Sequence, residues 1–138
     1  MSPKTAIKIM LWMLIAVILF HLSIVLKIVP YEITWGGRLK TDAEMYFFEI
    51  ISILINLFLS AILLIKGKYI SEFIPMKIIN ITLWVFLVLF GLNTIGNIFA
   101  KTSFEKFFAL WTITSAVLIW IILFKTNTIS LKKYFTTY

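Results

Sequence analysis

Apolar residues dominate this chain in four long runs, and the short segments between them gather nearly all of its charge. A membrane-crossing helix needs about 20 predominantly apolar residues. Residues 9–29, 45–65, 76–98 and 107–124 each meet that length, to within about two to four residues at either end. The pattern predicts an all-α fold in one domain over residues 1–138: a four-helix transmembrane bundle threaded up-down-up-down. There is no internal repeat, no glycine- or serine-rich linker and no second domain.

The connections carry their own start and stop signals. Pro30 lacks an N–H and its ring clashes with the preceding turn, so the first helix must stop before it. Thr41 and Glu44 are spaced as a capping box, in which the two side chains satisfy each other's orphaned backbone donors. Helix 2 is therefore expected to start near Asp42, with Glu49 two turns inside it. Thr102 and Glu105 repeat the device ahead of the fourth helix. Lys4 and Lys8 give the first run a basic start like that of a signal peptide. The run is longer than a signal core of ~7–15 residues and no A-x-A-like site follows, so an uncleaved first span is expected. The segment from Lys125 to Tyr138 is short and basic, and reads as an interfacial end whose lysines meet anionic headgroups, with a partner-docking tail as the alternative.

Against this apolar background a few polar positions stand out. On a helix, residues three and four apart share a face. Glu49, Ser52, Asn56 and Ser60 are spaced in that way along helix 2. Asn93, Gly96 and Asn97 form a shorter edge on helix 3, Trp111, Thr114 and Ser115 lie in helix 4, and His21 lies in helix 1. With alternate threading these groups fall at comparable depth, which predicts a polar cluster in one half of the bundle, opening toward the loop that holds Trp35, Gly36, Gly37 and Arg38. For the asparagines and hydroxyls the plain alternative is glue between helices, worth about 0.6 kcal/mol per hydrogen bond. Ionisable groups inside a span are costly and mark functional sites by default, which singles out Glu49 and His21. Their alternatives are a Glu49 that reaches the headgroups from near the helix end, and a neutral His21 bonded to an asparagine or a serine. Arg38 is the single arginine among thirteen basic residues. Its planar fork suits capture of a carboxylate or phosphate; a pair with Glu32, Asp42 or Glu44 that staples the loop is the alternative.

Composition and charge then narrow the class. Hydrophobic residues make up 62% of the chain and charged ones 14%, against roughly 45–50% and 25% in a soluble domain, so a bilayer is the expected solvent. One side of the four spans carries eight basic residues and one acid, the other five and five. The positive-inside rule places both termini in the cytoplasm. With no cysteine and one histidine, disulfides, thiol catalysis and clustered His or Cys metal sites are excluded. Neither a phosphate-binding glycine loop nor a dinucleotide fingerprint occurs, and the scattered lysines give nucleic-acid binding no support. A Ser52/His21/Glu49 hydrolytic arrangement can be written down, but such arrangements are defined by geometry rather than by order in the chain.

The segments PYEITWGGRL, DAEMYFFE and LNTIGNIFAKTSFEK resemble those of small four-span bacterial membrane proteins that carry no assigned activity, over nearly the whole chain. The resemblance implies a bacterial source and four spans. Small multidrug exporters share the length and span number, but their membrane glutamate belongs on the first helix, and residues 9–29 contain none.

Two functional classes follow. In one, an outward-facing polar pocket binds or passes a small molecule, ion or lipid headgroup. Glu49 is its charged contact, His21, Ser52, Asn56, Asn93 and Asn97 orient the ligand, and Arg38 and Trp35 stand at the mouth. In the other, the chain is a non-enzymatic structural or accessory subunit of a membrane complex. No cofactor or metal is called for, membrane lipids are the certain partners, and a transport role would need a homodimer or larger assembly.

Overall fold

The computed structural model describes residues 1–33, 39–100 and 103–135, with backbone alone at 33, 104 and 126–135. It contains four long helices: α1 (Pro3–Val25), α2 (Asp42–Lys66), α3 (Met76–Ile98) and α4 (Ser103–Phe135). All four are long and apolar enough to cross a membrane. A short 3-10 turn, Tyr31–Ile33, follows α1.

Helix ends follow local chemistry. Ser2 caps α1 by accepting from the Thr5 amide, and Pro3 takes the first-turn position where a missing N–H costs nothing. The apolar run continues to Val29, yet the helix stops at Val25. Lys27 turns left-handed (φ 55°), its amide bonds the Ile24 carbonyl, and the Ile28 amide bonds that of Ser23. Those two bonds close a Schellman turn ahead of Pro30. α2 ends identically at Lys68 (φ 59°), with Lys68 and Tyr69 bonding Ile65 and Leu64. Each lysine accepts a conformation that costs a side-chain-bearing residue about 1–2 kcal/mol. α2 starts at the capping box: Thr41 accepts from the Glu44 amide, and Glu44 accepts from the amides of Thr41 and Lys40. The corresponding box before α4 falls on Thr102, outside the described residues. α4 runs on through Lys125 to Phe135, so this part of the C-terminal segment is helical; from Ser103 to Phe135 there is no proline or glycine to stop it.

The helices pack in the order α2, α1, α4, α3, and α2 meets α3 only sparsely. α4 is central, with 44% of its apolar window buried against 22–28% for the others. Ala6, Ile7, Met10 and Leu14 of α1 share one core with Leu59, Ile62 and Leu63 near the other end of α2, and with Ile79, Leu83, Ile119 and Ile122. A smaller cluster of Ile24, Leu39 and Met45 closes the opposite end of the α1–α2 pair. The contact line of α2 runs through Met45, Glu49, Ser52, Asn56, Leu59, Leu63 and Lys66, all buried or half-buried. Alternating steps of four and three are the seam of a coiled coil. α1 answers with Ile7, Met10, Leu14, Val17, His21 and Ile24.

A candidate buried His–Glu site

That seam decides what the polar residues of α2 face. Glu49 falls on it and is wholly buried, rather than reaching the headgroups. His21 falls on the matching line of α1, and its Nδ1 lies 2.5 Å from Glu49 Oε2. The His21 side chain is 15% exposed, so it forms the outer edge of the pair. Ile24 and Met45, one turn from His21 and Glu49 toward the loop, close over them together with Leu39. Farther out, Lys27 pairs with Asp42 and sits 5.9 Å over the Tyr46 ring. The hydrogen bond to Asp42 raises the Lys27 ammonium above its usual range. This pair is a described staple between α1 and α2; Trp35 and Arg38, with the pairing expected of Arg38, lie outside the described residues.

The other candidate residues are placed differently. Ser52 and Asn56 are half-buried on the seam, but the Asn56 amide donates to the Ser52 carbonyl on its own helix at 2.7 Å. Ser60 likewise donates to the Asn56 carbonyl at 2.8 Å. The α1 positions that follow His21 along its contact line, Val17 and Leu14, are apolar and offer the Asn56 amide no hydrogen-bond partner. Asn93 is exposed and Asn97 half-buried. The polar group that α3 turns inward is their neighbour Thr94, which meets Thr112 of α4 at 2.9 Å in a buried contact. Each of these hydroxyls also lies within hydrogen-bond distance of the carbonyl four residues before it. The structure therefore joins His21 to Glu49, and leaves Asn56 and Ser52 on the same seam farther down. Thr94 and Thr112 form a separate contact between α3 and α4.

One further polar contact was not expected from the sequence, where Lys66 read as a topology charge. Lys66 continues the α2 seam, is 9% exposed, and donates to Asn80 Oδ1 at 2.6 Å. Its place on the three-four register of Glu49 is the one sequence signal that could have found it.

Chemically, the pair supplies one acid and one base in contact, shielded from water on the Glu49 side. With one proton between them they are neutral as a unit. Loss of that proton leaves a single negative charge, and gain of a second leaves a positive one. Compared with family models, curated proteins and solved structures, the chain matches none.

Proposed function

We propose that this is a multi-pass membrane protein whose His21–Glu49 pair binds a small cation in exchange for a proton. The observation that carries this reading is a fully buried carboxylate held 2.5 Å from an imidazole inside a chain of four membrane-length helices. A net buried charge in such a place costs several kcal/mol. Replacing the shared proton by a monovalent cation or a protonated amine keeps the pair neutral, so binding and proton release are coupled. Access runs past the exposed edge of His21, with Ile24, Leu39 and Met45 as the cover. Ser52 and Asn56, next on the seam, supply polar groups to a cation that enters more deeply.

Purified protein in detergent should melt at a higher temperature in one member of a panel of sodium, potassium and small ammonium salts. The increment should grow as pH rises, because the cation takes the place of a proton. Glu49→Gln should abolish the increment. A panel that leaves the melting temperature unchanged at every pH sinks the exchange reading. Lys27 and Asp42, the charged residues beyond the pair toward the loop, hold one another and should not contribute to that dependence.

The accessory-subunit reading has its own support: among the described residues, no buried side-chain nitrogen or oxygen lacks a hydrogen-bond partner. A polar seam satisfied within the chain is what helix–helix glue requires. Under that reading Glu49→Gln lowers stability equally in all salts.

For the threading we propose up-down-up-down, with both termini in the cytoplasm of a bacterial inner membrane. It is supported by the eight-to-five division of basic residues, and by the pairing of the start of α1 with the ends of α2 and α4. A periplasmic reporter fused after Gly37 should be active and one fused after Lys133 silent; the reverse pattern overturns the orientation.

A further inference from the structure

The sparse meeting of α2 and α3 leaves an open groove of about 510 Å3 between them, lined by Leu54 and Phe58 on one wall and Ile81, Val85 and Leu89 on the other. From Ile81 to Leu89 it follows α3 for about 12 Å at 1.5 Å per residue. At the end nearest Ile81 stands the Lys66–Asn80 contact, since Asn80 immediately precedes the groove wall.

Lys66 is an unusual lysine. A lysine at a helix end ordinarily extends its ammonium into water. Here the side chain lies between α2 and α3, and only 9% of the residue is exposed. An ammonium has three donors. Its described acceptors are both neutral, the Asn80 amide oxygen at 2.6 Å and the Met76 sulfur at 4.0 Å. The carbonyls of Leu63, Leu64 and Ile65 at the end of α2 already accept from backbone amides. Among the described residues no carboxylate pairs with it. A buried cation without a counter-ion is costly, and lipid headgroups gathered around the ends of membrane helices offer phosphate.

We propose that Lys66 and the α2–α3 groove form a binding site for one anionic phospholipid, its phosphate on the Lys66 ammonium and an acyl chain in the groove. The groove supplies apolar walls, and the exposed Lys68, two residues after Lys66, adds attraction for a negative headgroup. The site lies at the end of the bundle opposite the turn that joins α1 to α2, so it is separate from His21 and Glu49, and it holds whether or not that pair exchanges protons.

The test compares retention of phosphatidylglycerol and phosphatidylcholine, with matched acyl chains, by native mass spectrometry of protein released from nanodiscs holding both. Wild type should keep phosphatidylglycerol in preference by roughly fivefold, because both lipids carry the phosphate but only the choline cation of phosphatidylcholine repels the Lys66 ammonium. Lys66→Met should erase the preference, while Lys66→Arg and Lys77→Gln should keep it. Val85→Trp, which fills the groove from a position that faces lipid, should reduce retention of both lipids. It carries the test alone if Lys66→Met does not fold. Equal retention by wild type, a preference that survives Lys66→Met, a preference lost in Lys77→Gln, or undiminished retention in Val85→Trp overturns the proposal.

Discussion

Replacing His21 by leucine should destabilise the protein by about 1–3 kcal/mol, the usual result of removing one side of a buried hydrogen bond. Glu49 is wholly buried and touches His21 at 2.5 Å, so the substitution strips a carboxylate of its imidazole. Replacing both residues by leucine should recover most of the loss, since an apolar pair of similar volume is often neutral or better in such a position. Reversible unfolding in mixed micelles, run over pH for wild type, His21→Leu and the double variant, measures both effects. A His21→Leu protein as stable as wild type at every pH, or a double variant no better than the single, would show that the two side chains are not energetically coupled.

The second large effect lies in the core shared by all four helices. Ile119 of α4 is fully buried among residues of α1, α2 and α3. Ile119→Ala should cost about 2–4 kcal/mol, and Leu110→Ala, on the same helix but 65% exposed, close to nothing. In water both changes would also lose hydrophobic transfer energy. In lipid that component largely vanishes, because acyl chains are as apolar as leucine, and what remains is the packing lost around a cavity. The contrast between the two sites therefore reads out which face of α4 is packed by protein. Equal losses at both would mean that the helix is turned differently about its axis.

Several features were legible in the residues because their causes are local. The capping box of Thr41 and Glu44 involves groups three residues apart, and it starts α2 at Asp42 as expected. The face shared by Glu49, Ser52 and Asn56 follows from helical spacing alone. The end of α1 was less legible. Pro30 set a limit, but the chain stops at Val25 because Lys27 turns left-handed, a position where glycine would have been the usual signal. On α3 the choice between Asn93 and Thr94 could not be made, since the helix is apolar on nearly every side and periodicity selects no face. Lys66 was counted for its charge, and its burial depends on α3 lying beside it.

By itself the sequence determined four membrane-length apolar segments, the start of α2 and the membership of its polar face. Run length, capping and helical period act within one segment and need no neighbour. Only the tertiary structure decided the order α2, α1, α4, α3, the contact of Glu49 with His21, the separate Thr94–Thr112 contact and the groove beside Lys66. In a bilayer an apolar helix is equally at home with lipid on any side. The apolar pattern that identifies a span therefore cannot choose its neighbours. That choice falls to the shapes of packed side chains and to the few polar groups that must find one another.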